Sequence, residues 1–346
     1  MTKSKAKSAT VAALNCQWIL KPCVASKTLA QGVGICIQWA TVPIKLVPIK
    51  LVPIKPVPIK PVILETVQPF SFPLTASVLA RLPQHNQVEC FDKTNSIHQR
   101  AIHTSTGTRV ITARAHPKGL ELDDDSLEAR AWAVSSFGLE LDPAPFYAVA
   151  ARDPALLGAT KSLAGLRPPL MTPWEAWVAA ILGQQITLSF CLQQINMISR
   201  TFGGEVEGKL FDGSSYFFPL HPTPEQILEA DEAGLLACKV SRRKTEYLKT
   251  VAKALLDGHF DGVLDGDVTD VLEHLTALRG VGLWTARYWL ASIGRLDFLA
   301  YGDAGLNAAY KSAYGSLDGI EAWGEGLGVT RGWAYYYLIW HTKYMK

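Results

Sequence analysis

The sequence lacks several features that mark other classes of protein. Its six cysteines include no C-x-x-C pair, which argues for a reducing compartment and against zinc or an iron–sulfur cluster held by closely spaced thiolates. It has no uninterrupted apolar run of roughly 18 residues, so we expect no membrane-spanning helix and no membrane partner. These absences favour an intracellular protein.

Acidic residues are missing from the first 64 positions, which hold nine lysines. The whole chain has 34 Lys and Arg against 31 Asp and Glu, so 34 − 9 = 25 basic and 31 acidic residues follow Leu64, a net charge of −6. A nucleic-acid-binding protein with such an acidic body must use a local basic patch instead of an overall positive field.

Residues 42–62 repeat a V-P-I-K-x pentapeptide unit, in which x is leucine or proline, so that proline recurs at least every fifth position. Proline removes amide donors and blocks regular helices and strand ladders, so we expect an extended segment. The residues before it are rich in Lys, Ser and Ala but contain no arginine, which a transit peptide normally has. We therefore interpret residues 1–62 as a disordered, basic, low-complexity extension.

The sequence from Pro69 onward has the residue patterns of a globular protein. A short helix pattern is followed by three strand-like runs separated by turn residues, and Asp125 or Ser126 opens a further helix. The strand-like runs lie at 87–91, 96–103 and 109–115. After residue 136 nearly every pattern is helical, so we predict a mostly α protein with a small antiparallel α+β domain at 63–136 and a helical domain at 137–346.

A tight turn between two helix patterns lies at 278–286, L-R-G-V-G-L-W-T-A. The first pattern ends at Gly280, because glycine readily adopts the left-handed conformation that terminates a helix. The second begins directly after Gly282, which leaves amides of its first turn unpaired and suited to a phosphate. On these residues alone, an ordinary turn between two helices is the simpler explanation.

Asp303 lies 23 residues beyond Gly280, in G-D-A-G-L at the start of a further helix pattern. As local structure, it is a good helix N-cap. A helix N-terminus also favours negative charge, and a carboxylate held there can stabilise positive charge developing on a sugar or deprotonate a water. The two roles are compatible.

A third signal is L-G-Q-Q-I at 182–186, where a glycine and two glutamines interrupt an apolar stretch from Pro173 to Phe202. It predicts two helices that meet at a polar junction, with Thr187 or Ser189 capping the second. A simple helix break is the alternative.

In this order and spacing, the three segments resemble the helix–hairpin–helix superfamily of DNA glycosylases, and most of all its DNA-3-methyladenine glycosylase II family. The resemblance covers roughly residues 69–341 and includes P-F-S-F-P-L at 69–74 and the segment 137–147. It implies two helical subdomains with a cleft between them, and an enzyme that excises damaged bases from duplex DNA.

The resemblance also implies roles for individual residues. Asp303 matches the catalytic aspartate, and Gln185 lies where relatives carry the side chain that fills the gap left by a flipped base. The expected DNA-gripping hairpin consists of Gly280, Val281 and Gly282. The backbone carbonyls of Leu278 and Val281 match those that hold an alkali-metal ion, Na⁺ or K⁺, in relatives, and we expect no other cofactor.

Trp284 occupies the position at which relatives that also nick the strand carry a Schiff-base lysine, so the resemblance implies no lyase activity. Trp284 and Tyr288 lie one helical turn apart and match pocket aromatics, whose faces attract a cationic base; packing in the core is the alternative. Trp340 is the candidate for a further pocket residue, although an ungapped match places Ile339 there.

Arg242 and Arg243 follow Ser241, which has the pattern of an N-cap. They are candidate phosphate contacts, and the alternative is an ordinary solvated helix face. Relatives usually carry glycine at the position of Lys239, just before this cap.

We therefore expect a monofunctional, monomeric glycosylase that acts on alkylated, 3-methyladenine-type bases in double-stranded DNA during base-excision repair. The alternatives are a glycosylase for uracil, hypoxanthine or an oxidised purine, and a non-catalytic helix–hairpin–helix DNA-binding protein. The compartment would be the cytoplasm or nucleoid of a bacterium, or the nucleus or an organelle of a eukaryote.

Removing residues 1–62 tests the interpretation of the extension. We expect the shortened protein to retain its melting temperature and activity, because the recurring prolines of the extension block the helices and strand ladders through which it could join a core. Thermal unfolding and an activity assay of both forms would measure this, and loss of folding or activity would contradict it.

Overall fold

The computed structural model describes residues 61–263 and 265–344. The predicted extension lies outside this part of the chain except for its last two residues. Val62 already begins the first strand, one residue before the predicted domain boundary. None of the described helices is long and apolar enough to cross a bilayer.

The first part of the described chain forms an antiparallel five-stranded sheet with the order β1-β5-β4-β3-β2. Its strands are β1 Val62–Glu65, β2 Cys90–Asp92, β3 Ile97–Thr104, β4 Gly107–His116 and β5 Gly119–Leu122. The three predicted strand-like runs correspond to β2, β3 and β4. Strands β1 and β5 were not predicted, because each has four residues and too short an alternation to be recognised.

Two helices pack against this sheet, α1 Phe72–Leu79 and α2 Leu127–Ser136. Each begins at a serine N-cap, Ser71 or Ser126, whose hydroxyl accepts an amide hydrogen bond of the first turn. Apolar side chains on one face of the sheet, such as Ile111 and Leu122, are fully buried.

The remaining helices continue to the end of the described chain. They are α3 Ala144–Ala150, α4 Pro154–Ser162, α5 Pro173–Leu182, α6 Leu188–Ile198, α7 Pro224–Glu229, α8 Glu232–Ala237, α9 Arg242–Leu256, α10 Val268–Thr276, α11 Leu283–Ser292, α12 Ala304–Tyr314, α13 Ile320–Gly326 and α14 Arg331–Tyr344.

The helices pack around two separate cores. Helices α5 to α11 enclose the first, which contains the stacked pair Trp177 and Trp289. The chain then returns, and α12 to α14 pack with α3 and α4 around the second core, which contains Phe146, Trp333 and Tyr337. This arrangement confirms the predicted fold class, a small sheet domain with two helical subdomains.

One element of the helical region was predicted wrongly. After a turn of π-helix at Ser199–Gly203, a hairpin of β6 Glu205–Lys209 and β7 Ser215–Pro219 interrupts the helices. Phe218 of this hairpin is fully buried in a small cluster with Ala101 of β3, and the side-chain amide of Gln99 donates to the Lys209 carbonyl at 3.1 Å. The contacts that stabilise this hairpin come from a sheet that is distant in the sequence. The local sequence pattern, which we interpreted as helical, therefore did not indicate the hairpin.

A buried ionic cluster connects the sheet domain to the helices. Arg100 of β3 donates to Glu89 at 2.7 Å and to Glu175 of α5 at 2.5 Å. Burial alone would raise the pKa of both carboxyls. The Arg100 charge, together with a hydrogen bond from His98 to Glu89 and one from Arg100 to Glu175, outweighs burial, so both pKa values lie below the ordinary value of 4.5. The resulting stabilisation is complete above pH 4.5 and is lost as the pH falls through the lowered values.

Replacing Arg100 by methionine leaves two buried carboxylates without their cation. We expect Arg100→Met to lower the free energy of unfolding by about 3–5 kcal/mol at pH 7 and to flatten the decline of this free energy below pH 4.5. Urea unfolding at several pH values would measure both effects. The control is Lys118→Met, which removes the exposed partner of Glu65 and should change little. Equal effects of the two variants would contradict the assignment.

Candidate active site

A cleft of 1520 Å³ opens where the two helical cores and the sheet domain meet. Its walls are formed by the junction between α5 and α6, the turn between α10 and α11, the start of α12 and one face of α14. The cleft thus brings together side chains that are more than 100 residues apart in the sequence. All three motifs singled out in the sequence analysis contribute to it.

Asp303 is the N-cap of α12 and faces this cleft. Its Oδ1 accepts the backbone N–H of Leu306 at 2.9 Å, as the sequence predicted. Two further donors reach the same carboxylate from other helices: Nε1 of Trp284 lies 3.2 Å from Oδ2, and the hydroxyl of Tyr335 lies 3.4 Å from Oδ1. The carboxylate is therefore held by neutral donors from three helices.

An aromatic wall stands beside Asp303. The rings of Trp284 and Tyr288 are stacked, with centroids 5.3 Å apart and planes inclined by 26°. Burial raises the pKa of Tyr288 and raises that of Tyr335 well above its ordinary value, and the Asp303 charge adds to both. Both hydroxyls therefore stay protonated, and Tyr335 can donate to the carboxylate.

The turn between α10 and α11 has the predicted hairpin geometry. Gly280 has φ +91°, and a Cβ at this position would overlap the ring of Tyr247, so only glycine fits. Gly282 is the exposed N-cap of α11 and supplies no side chain to its first turn. Amides of that turn therefore remain available at the surface beside the cleft.

The two glutamines of the α5–α6 junction have different roles. Gln184 donates from Nε2 to the Gly280 carbonyl at 2.9 Å and to the Thr285 hydroxyl at 3.0 Å, so it fixes the hairpin to the junction. Gln185 is exposed at the cleft and adopts a left-handed φ of +55°. Of the two candidate caps, Thr187 and Ser189, Thr187 is the N-cap of α6. The sequence analysis had not assigned a role to Gln184.

The two arginines at the start of α9 differ in position. Arg243 lines the cleft and donates to the hydroxyl of Tyr247 at 3.1 Å, which places it next to the hairpin. Arg242 pairs with Glu232 at 2.9 Å and is not among the residues that line the cleft. Lys239 has a left-handed φ of +61°, which explains why glycine suits this position.

Helix α14 contributes more to the cleft than predicted. Trp340 and Ile339, the two alternatives of the sequence analysis, both line it. So do Tyr335 and Tyr336, which the analysis missed. Trp333 and Tyr337 of the same helix are buried in the core. Their helical spacing was visible in the sequence, but it did not indicate which face lines the cleft.

In the described part of the chain, no cluster of three His, Cys, Asp or Glu side chains is arranged to hold a metal ion. The predicted alkali-ion ligands are backbone carbonyls, which are neutral oxygen donors of the kind that suit such ions. The Leu278 carbonyl accepts the N–H of Val281 at 3.0 Å, and a carbonyl oxygen has a second lone pair.

Together these groups can perform a limited chemistry. A flat ring can enter against the aromatic wall, an anion can bind at the uncapped start of α11, and Asp303 can stabilise positive charge between them.

The comparisons with known proteins agree with this geometry. Residues 178–320 match the family described as HhH-GPD superfamily base excision DNA repair protein, and this segment, which includes the hairpin and Asp303, is a domain of that superfamily. The chain is 31% identical over 160 residues to DNA-3-methyladenine glycosylase of Bacillus subtilis, which is 44% of this chain and 50% of that protein. It is 29% identical over 137 residues to DNA-3-methyladenine glycosylase 2 of Escherichia coli, which is 38% and 46%.

The chain thus spans about half the length of the curated relatives it matches. Among solved structures, the 3-methyladenine DNA-glycosylase of Archaeoglobus fulgidus superposes with a TM-score of 0.69 at 22% identity and covers 82% of this chain and 98% of its own. This likeness establishes the shared fold.

The two hairpin glycines allow a matched test of the turn. Gly280→Ala should lower the melting temperature by several degrees, because alanine is strained at φ +91° and overlaps Tyr247. Gly282→Ala should melt close to the parent, because a Cβ there meets nothing within 4 Å. Thermal unfolding of the pair measures the difference, and equal melting temperatures would refute the turn geometry.

Proposed function

We propose that this protein is a monofunctional DNA glycosylase that hydrolyses the N-glycosidic bond of alkylated, 3-methyladenine-type bases in duplex DNA and leaves an abasic site. The observation that carries the proposal is the carboxylate of Asp303, which is held in the same cleft as the aromatic wall and the glycine hairpin. The names of the two bacterial relatives support the lesion class.

DNA binding begins at the hairpin. The free amides after Gly282 take a phosphate at the positive end of α11, and Arg243 adds a cation beside them. A base in a stacked duplex hides its glycosidic bond, so the damaged nucleotide must turn out into the cleft, at a cost of a few kcal/mol. Gln185, exposed at the rim, fills the vacated stack.

The flipped base then lies against Trp284 and Tyr288. Alkylation at a ring nitrogen of a purine gives the base a positive charge, which the aromatic faces attract by roughly 0.5–2 kcal/mol. The same charge makes the base a good leaving group, so modest catalytic assistance suffices.

Asp303 acts as the bond breaks. Positive charge moves to the sugar, and the carboxylate stabilises it while helping water to add to the anomeric carbon. Trp284 and Tyr335 hold the carboxylate towards the cleft. Trp284 replaces the amine that a lyase would need at this position, so the strand remains intact.

The proposal also includes a bound alkali-metal ion, the DNA partner, the oligomeric state and the compartment. Na⁺ or K⁺ would bind the backbone carbonyls of Leu278 and Val281 and connect the hairpin to a DNA phosphate. Double-stranded DNA is the partner, and the protein acts as a monomer in the compartment that holds the DNA.

Asp303→Asn tests the catalyst. Asparagine keeps the N-cap hydrogen bond but not the charge, so we expect base release from alkylated duplex DNA to fall by about 100-fold or more, while affinity for the same DNA is preserved. Single-turnover release measured by mass spectrometry, together with a DNA-binding titration, separates the two.

The control is Asp267→Asn, which changes the N-cap of α10 in the same way and should leave base release unchanged. Product strands should break only after alkali treatment. Normal release by Asp303→Asn would remove the proposed catalyst.

A further inference from the structure

We propose that Lys244 is a positioning residue for base flipping, because its ammonium group holds the carbonyl end of α5 and thereby keeps Gln185 in the conformation in which it can enter the DNA stack. The inference rests on the proposed glycosylase function and deepens it, since it identifies what holds Gln185 ready for that step. Lys244 acts through Gln185 and does not contact the reacting atoms.

Lys244 lies in the first turn of α9, directly after Arg243, and lines the cleft. It is partly buried, and burial lowers the pKa of its ammonium below the ordinary value of 10.5. Removing part of a charged group from water is costly unless the group is hydrogen-bonded. An ammonium in this position is therefore stable only with a good acceptor.

The acceptor is the backbone carbonyl of Leu182, which lies 2.7 Å from Nζ of Lys244. Leu182 is the last residue of α5, and a carbonyl at the end of a helix has no amide of its own helix to accept. The lysine supplies the missing donor, and a charged donor forms a stronger hydrogen bond than a neutral one. This bond attaches the end of α5 to the start of α9.

The segment after Leu182 has an unusual backbone. Gln185 has a φ of +55°, a region that residues other than glycine rarely occupy and that persists only where the surrounding structure imposes it. Gln184 is fixed to the hairpin by its bond to the Gly280 carbonyl, and α6 begins at the Thr187 cap. With Lys244 at Leu182, the chain is thus held on both sides of Gln185.

This arrangement connects phosphate binding to base flipping. Arg243, a proposed phosphate contact, and Lys244, which holds the junction, are neighbours in the first turn of one helix. Loss of the bond from Lys244 would release the end of α5 and allow Gln185 to leave the left-handed region. It would remove no group that stacks on the base or stabilises the sugar.

Lys249 provides a matched control on the same helix. It is also partly buried, and its Nζ donates to the carbonyls of Leu228 at 3.1 Å and Ala230 at 2.6 Å, at the end of α7. It does not line the cleft. Lys249→Met removes two bonds of the same kind, so it should cost at least as much stability as Lys244→Met and yet leave base release unchanged.

The experiment is a double-mutant cycle of Lys244→Met and Gln185→Ala. Single-turnover base release is measured on a duplex in which a cationic N-methylated purine lies next to 2-aminopurine, whose fluorescence rises when it unstacks. We expect Lys244→Met to reduce this rise and to slow release by about tenfold. In the Gln185→Ala background the same change should slow release by less than about twofold, because the residue through which Lys244 acts is already gone.

Thermal unfolding of each variant shows that it is folded at the assay temperature. An equal slowing in both backgrounds, with a weaker salt dependence of DNA binding, would identify Lys244 as an independent phosphate contact and overturn the proposal. Unchanged release by Lys244→Met, or an equal loss in Lys249→Met, would do the same. A parent protein that releases no base would instead refute the glycosylase itself, and the positioning role with it.

Discussion

The hydrogen-bonded anchoring of one carboxylate is the constraint on which the site depends. Asp303 receives the Leu306 amide, the Trp284 indole and the Tyr335 hydroxyl, which belong to α12, α11 and α14. A carboxylate on a free loop would sample many rotamers, whereas three donors from three helices select one. Its position is therefore only as well defined as the packing of those helices, and the two cores must both be intact for the site to exist.

Each core holds some of the helices that position Asp303. The first core fixes α11 through the stacked Trp177 and Trp289, and the second fixes α12 and α14 around Tyr337. The sheet domain is joined to the first helical core through Arg100, whose two carboxylate partners lie on different domains. The sheet domain thereby forms a third side of the cleft, to which it contributes Arg81, a residue that follows α1. The site is thus a property of the whole described chain and not of the hairpin segment alone.

Short sequence patterns predicted those parts of the site whose conformation is determined by neighbouring residues. A glycine needed for a left-handed turn, an aspartate at an N-cap and a polar interruption of an apolar stretch can each be recognised within a few residues, and Gly280, Asp303 and the 182–186 junction were found in this way. Tyr335 and Gln184 were missed because their roles depend on which distant element faces them. Helical spacing shows that aromatics of α14 share a face, but the identity of that face is decided by packing against α12. The β6–β7 hairpin was missed for the same reason.

Trp284 provides no amine, and it also affects the charge environment of Asp303. A lysine at this position would place an ammonium against Asp303 and draw the carboxylate into an ion pair. The indole N–H is neutral, so at 3.2 Å it orients the carboxylate without neutralising it. Arg81, which follows α1, lines the same cleft but forms no ion pair with Asp303. A carboxylate oriented only by neutral donors, beside a ring on which a flat base can stack, is suited to stabilise a short-lived cation.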